Sequence, residues 1–399
     1  MKKSALFGFS GLLALSFIVS EPAQAKQSPM VAPVGLTTSQ GFEAFTPRPT
    51  RRTKFDYSLW DEALDDMVLD LGPSLRRRSQ KPRAQVGTRL IRGHDSAYRL
   101  EGSRFTFAYV NDSYKEGLTD YRKDLERLGT KYDVASLSRN EQLAYWINLH
   151  NVALIEQISD AYPIKRPSRI KIEMNGVKVP LDDAKFITVK GMALSLKDIR
   201  EEIVYANWKD DPRVMYGFFR GDIGGPRLSP IAFTGQSVDY MLDQNADEFV
   251  NSLRGFNSGS RTRNVSKLYE EVSPVFFAGS DTALVQHMSR HARPEVQAEL
   301  LQSKPIRYES YDNTVADLSA GNGIGASALN VDSANIRGGA AVSYEVGQLL
   351  RELDNKYEIL IREGLIGTPN GVVIIEDIET EDLAPDPQYS PLLEQGGDE

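Results

Sequence analysis

The chain has no cysteine in its 399 residues. A thiol nucleophile, a thiolate metal site, a disulfide and a lipidated N-terminal cysteine are therefore excluded. An excess of positive charge is missing too, since the formal net charge is −8. Nucleic-acid phosphates demand clustered Lys and Arg, so no nucleic-acid partner is expected. Long apolar runs are scarce. The one candidate, Ala5 to Val19, is short for a membrane span and nothing later approaches one, so no stable membrane anchor is expected. No internal repeat is visible. What is present is 41 % hydrophobic and 9 % aromatic residues, the composition of a globular core.

Lys2 and Lys3 precede the apolar run, and Ala23-Gln24-Ala25 follows it. That is the pattern of a secretory signal peptide over residues 1–25, and it predicts a periplasmic or secreted protein. Removing those residues leaves a net charge of about −9. Residues 26–54, rich in Pro, Thr, Ser and Gln, read as a flexible leader. The main domain is expected over 55–318. A Gly-, Ala- and Ser-rich linker or loop follows over 319–342, then a C-terminal helix and strand over 343–378 and an acidic tail over 379–399. Arg76-Arg77-Arg78, with Lys81 and Arg83, lies between two prolines and reads as a solvated basic loop.

Within the domain, Tyr57 to Leu71 has helical spacing, as do Leu118, Tyr121, Leu125 and Leu128. Ile170, Ile172 and Met174 alternate with polar residues, and so do Val177, Val179 and Leu181. Asn175-Gly176 between them supplies the two positive-φ residues of a type I′ hairpin turn. Ser195 and Asp198 form a capping box that opens a helix through Ile203. Val214 to Phe219 reads as a buried strand running into the turn-rich segment Arg220 to Arg227. Helices are expected over Val238–Leu253, Val265–Phe276, Asp281–His291 and Tyr344–Glu363, with a short strand at Gly371–Ile375. The fold class is α+β: a mostly helical single large domain with a small antiparallel sheet that includes the 170–181 hairpin. The 344–363 helix either packs back on this domain or offers its apolar line to a partner.

The most informative stretch is Asn140-Glu-Gln-Leu-Ala-Tyr-Trp-Ile-Asn-Leu-His-Asn151. It is apolar almost all round, yet Glu141, Tyr145, Asn148 and Asn151 share one arc. Polar groups on a buried helix must find partners, because each unsatisfied one costs about 1–3 kcal/mol. Two readings follow. Either Glu141, Asn148 and Asn151 line a pocket opposite the 213–227 segment, where Arg213, Arg220 and Asp222 supply charge, or they form a structural network. In the first, Glu141 pairs with an Arg. His150 falls on the opposite side of the helix from Glu141 and reads as a packing or surface residue. His287 and His291, four apart, have metal-ligand spacing but no third ligand, and read as surface histidines with no metal. Asp182-Asp183 and Asp210-Asp211 read as turn and cap residues. Gly321-Asn-Gly-Ile-Gly325 lacks the strand and Lys of a phosphate loop, and no Gly-x-Ser-x-Gly supports a serine nucleophile. No cofactor is expected.

Five stretches stand in a telling order: Asn140–Asn151, Leu194–Ile199, Asp211–Val214, Val265–Tyr269 and Ile306–Asp312. By them the chain resembles the domain of unknown function 547 family over roughly residues 56–318. The resemblance implies a His where this chain has Glu201, another where it has Met215, and a Tyr where it has His150. It also implies a Cys-Gly-Ala-x-x-Cys-Pro element, which here reads Arg220-Gly-Asp-Ile-Gly-Gly225-Pro. If the family's chemistry uses those groups, Arg and Gly cannot replace them. The expectation is an exported, non-catalytic binding or scaffolding member whose partner is an envelope protein or polymer of unknown identity. The alternative is a hydrolase or transferase acting on an envelope peptide or polymer, with Glu141 as acid/base and Arg213 or Arg220 as anion holder.

Overall fold

The computed structural model describes residues 41–80, 94–323 and 343–367. The expected signal peptide, the linker beyond residue 323, the 371–375 strand, the acidic tail and Lys81 and Arg83 of the basic cluster lie outside the described residues. The core is built around α3 (Arg139–Ala161), whose residues from Glu141 to Ser159 are buried on nearly every side. Ser138 starts it, its hydroxyl accepting the Glu141 N–H at 3.3 Å. Before it come α1 (Ser58–Met67), β1 (Val68–Asp70), β2 (Ser103–Phe105) and α2 (Asp112–Lys131). α2 lies along α3. Its Arg122 makes a buried ion pair with Glu156 of α3, and the Tyr145 hydroxyl donates to Leu125 O at 3.0 Å.

The second half of the segment expected as a flexible leader is instead part of the domain. The N–H groups of Arg48, Thr50 and Arg51 donate to Ala135 and Ser136 carbonyls at 2.7–2.8 Å. Phe45 is fully buried against Trp146, with ring centroids 5.1 Å apart, and Phe55 is buried against Tyr145. Phe45, with Phe42 packed against the same core, buries enough apolar surface to override a polar, Pro-rich composition.

The α+β class holds, but among the described residues the strands form four small sheets. β1 pairs with β2. β3 (Lys171–Met174) and β4 (Val177–Pro180) form the expected hairpin, with Asn175 at φ 50° and Gly176 at φ 78°. β5 (Ile187–Val189) pairs with β6 (Met192–Leu194). The next element after β6 is a π-helix, Asp198–Tyr205, opened by the expected box: Ser195 N–H to Asp198 Oδ2 at 2.8 Å, Asp198 N–H to Ser195 Oγ at 3.0 Å. Val214–Phe219 is not a strand. Pro212–Gly217 winds into a 3-10 helix, because Pro212 fixes the first turn and Asp211 caps the Arg213 N–H at 3.1 Å.

Next come α4 (Val238–Val250), β7 (Phe256–Ser258), β8 (Arg263–Ser266), α5 (Lys267–Phe276), α6 (Asp281–His291), α7 (Pro294–Leu300) and β9 (Ile306–Ser310). β8 pairs antiparallel with β7 and parallel with β9, so this sheet is mixed. The final helix, α8 (Tyr344–Arg362), packs back on the domain. Val346 and Leu349 bury against Leu318. Arg99 grips Glu352 with two bonds at 2.7 and 3.0 Å, and the Lys356 ammonium donates to the Leu71 and Leu100 carbonyls at 2.6 and 2.7 Å. The basic cluster is likewise engaged: Arg76 pairs with Glu299 and Arg77 with Glu363. Among the described residues no helix is long and apolar enough to cross a membrane.

Candidate ligand-binding cavity

The polar stripe of α3 divides between structural duty and one cavity. Glu141 is 3 % exposed and reaches no Arg among the described residues; its Oε1 accepts the Phe55 N–H at 2.7 Å. Gly235 closes over it so tightly that a Cβ there would collide with Glu141 Oε2. The ordered stretch before α1 supplies the partner that the sequence pattern assigned to an arginine. Asn148 clasps one residue of backbone, donating to Phe233 O at 2.7 Å and accepting the Phe233 N–H at 3.1 Å. Asn151 does the same across two, donating to Gly217 O at 3.0 Å and accepting the Phe219 N–H at 3.1 Å. Each amide satisfies an extended chain as a neighbouring strand would. Arg213 stands apart, at the surface, paired with Asp211 at 2.7 Å, Asp243 at 3.0 Å and Asp239 at 3.2 Å.

Arg220 and Asp222 do line a cavity, of about 440 Å³. Its apolar wall comes from Leu154, Pro167, Leu181, Leu196, Phe219 and Leu268. Its polar wall starts at His150, which is fully buried and not the packing-only or surface residue its helix position suggested. Arg200, on the π-helix, donates Nη1 to His150 Nε2 at 3.2 Å. A guanidinium can only donate, so Nε2 is the acceptor and the proton sits on Nδ1, facing Asn151 Oδ1 at 3.0 Å. Burial, reinforced by the Arg200 charge, holds this imidazole well below its usual pKa and hence neutral. Asp182 fixes Arg200 through two bonds at 2.6 and 2.7 Å. Burial alone would raise the Asp182 pKa, but those bonds and the Arg200 charge overcome it and hold it well below the carboxylate range.

On the facing side Arg220 pairs with Glu271 of α5 through Nη2. Its Nε is buried without a partner, and its Nη1 has none among the described residues. Asp222 is buried beside Tyr311 and Arg220, its Oδ1 accepting the Gly225 N–H at 3.1 Å. Burial pushes its pKa up to about 8, against the pull of Tyr311 and Arg220, so at neutral pH it is a protonated acid and a hydrogen-bond donor. Arg220 and Gly225, where the resemblance implies cysteines, sit side by side: a Cβ on Gly225 would stand 2.9 Å from the Arg220 Cβ. Met215, where the resemblance implies a histidine, is buried in the core away from the cavity lining.

Residues 134–250 match the model of a family described as a protein of unknown function, DUF547, so this stretch of the chain is similar to a domain of that family. The match covers less than a third of the chain. No curated protein and no solved structure matches it. The Val265–Tyr269 and Ile306–Asp312 motifs lie beyond the matched residues, yet Lys267, Leu268, Glu309 and Tyr311 from them line the cavity.

Sequence reasoning missed Asp182, Arg200 and Tyr311, whose roles come from pairings distant along the chain. It also misplaced His287, which is buried: its Nε2 meets the Tyr216 hydroxyl at 3.0 Å, and its ring stacks on Tyr216. His291 faces Asp247 at 2.8 Å. The spacing of Leu284, His287, Met288 and His291 marks one buried helix face and was the available signal. Among the described residues no group of three or more His, Asp or Glu is placed to hold a metal.

Proposed function

We propose that this protein acts in the periplasm or outside the cell as a non-catalytic binding or scaffolding member of its family, taking an envelope-derived ligand in the cavity between α3, the π-helix and α5. One observation carries the reading: His150, the one imidazole on the cavity wall among the described residues, has its Nε2 lone pair engaged by Arg200, itself clamped by Asp182. A general base needs that lone pair free to take a proton, and a nucleophile needs such a base beside it. The remaining wall is a set of fixed donors and acceptors over an apolar floor, which is the composition of a recognition site. Native mass spectrometry of the chain after incubation with envelope peptides and polymer fragments tests it. A retained fragment of unchanged mass supports binding; masses of cleaved or transferred products overturn it.

A second reading rests on Asp222. An acid held protonated to about pH 8 in a cavity is what a general acid requires. A hydrolase or transferase would then use Asp222, not the sealed Glu141, and Asp222→Asn would abolish turnover.

A further inference from the structure

The ligand's chemistry can be read from which charges on the cavity wall are left without a counter-charge. Resting on the binding reading above, we infer that the cavity takes a small monocarboxylate with an apolar body, its carboxylate held by Arg220 and Lys267. Asp182 is neutralised by Arg200 at 2.6 Å, Glu271 by Arg220, and Glu309 by Arg307 at 2.6 Å. Asp222 is buried, its Oδ1 accepting the Gly225 N–H at 3.1 Å. Lys267 is left, exposed on the cavity wall and without an ion pair among the described residues. Lys267 therefore puts on the cavity wall a positive charge that no side chain among the described residues pairs, and a ligand carboxylate can pair it. The donors agree. Arg220 Nε is buried without a partner, and its Nη1 hydrogens have none among the described residues. A buried N–H without an acceptor is costly, and an oxygen ligand beside Arg220 supplies one. Carboxylate oxygens suit a planar guanidinium. Lys267 and Leu268 are the first turn of α5, so the helix N-terminus adds positive potential to the same wall. Leu154, Pro167, Leu181 and Phe219 supply the surface for an apolar body. A volume of about 440 Å³ suits a compact molecule or one terminal residue of a peptide, not a polymer chain.

Two sources offer this chemistry, a free small acid and the C-terminal residue of a peptide, and the test separates them. The full chain is titrated calorimetrically with N-acetyl-leucine, N-acetyl-leucinamide, and a leucine-terminated tripeptide with its C-terminus free or amidated. Saturable binding is expected for the free acids only, weakened about tenfold by Lys267→Gln and more by Arg220→Gln. Weaker binding of the tripeptide than of N-acetyl-leucine assigns the site to free acids; the reverse assigns it to peptide termini. Lys267 is exposed, so its variant tests the idea even if Arg220→Gln fails to fold. Equal binding of acid and amide overturns the carboxylate assignment while leaving a binding protein. Absence of binding by every acid overturns the assignment outright. Cleavage of the tripeptide overturns the binding reading while leaving the carboxylate contact in place.

Discussion

Asp222 and Glu141 are both buried acids, yet their surroundings give them opposite roles. Asp222 has a pKa raised from 3.8 to about 8 by burial. Its folded form holds a proton that the unfolded chain releases, so its contribution to stability is intact near pH 4 and is lost as pH rises towards 8. Asp222→Asn keeps an acceptor for the Gly225 N–H and removes the ionisable group. Urea unfolding should show the variant gaining about 1–3 kcal/mol over the parent at pH 8 and almost nothing at pH 4. His287 works the other way. Burial and the nearby His291 hold it down at about 3, so its share of stability is lost as pH falls from the usual histidine range towards 3. Glu141 has a single job, accepting the Phe55 N–H. Gln can do the same, so Glu141→Gln should leave ligand affinity unchanged and cost less than about 1.5 kcal/mol, whereas Glu141→Ala, which strands that N–H, should cost about 1–3 kcal/mol. Calorimetric titration and thermal melts on the two variants check this. Loss of ligand affinity in Glu141→Gln would show that the acid reaches the cavity.

At the level of elements, the stretch before α1 belongs to the fold. Phe45 fills a site against Trp146, and its truncation leaves a cavity in the main core. Phe45→Ala should therefore destabilise the protein by about 3–5 kcal/mol in urea unfolding, where a flexible leader would give nothing. The 220–225 turn offers a second test. Disulfides need Cβ atoms about 3.5–4.5 Å apart, and the built Gly225 Cβ stands 2.9 Å from that of Arg220, a gap a small backbone shift can open. The Arg220→Cys, Gly225→Cys double variant should oxidise to an intramolecular disulfide, seen as loss of both titratable thiols. Elements with local chemistry were legible in the sequence. Asn175-Gly176 fixed the hairpin turn, and Ser195 with Asp198 fixed the start of the π-helix, because both signals act within four residues. Val214–Phe219 was not legible as a 3-10 helix: a short apolar run is buried equally well either way, and Pro212 was the only cue.

For the molecule as a whole, the helical α+β class followed from periodicity, but the site did not. Arg220 and Asp222 stand out in a turn-rich segment and line the cavity. Glu141, Asn148 and Asn151 stand out on one helix face and serve the backbone instead. A stripe shows that polar groups need partners; it does not say whether those partners are ligand or chain. The partners come from residues 55, 217–219 and 233, and the opposing cavity wall from 182, 200, 267–271 and 311. Only the folded chain brings these together. The central claim is that this cavity holds a ligand and leaves it chemically intact. One NMR titration of the protein with envelope peptides and polymer fragments reads both halves. The account predicts shifts concentrated at His150, Arg220, Leu268 and Tyr311, with fragment resonances unchanged over hours. New product resonances, or shifts confined to residues away from that cavity, would contradict it.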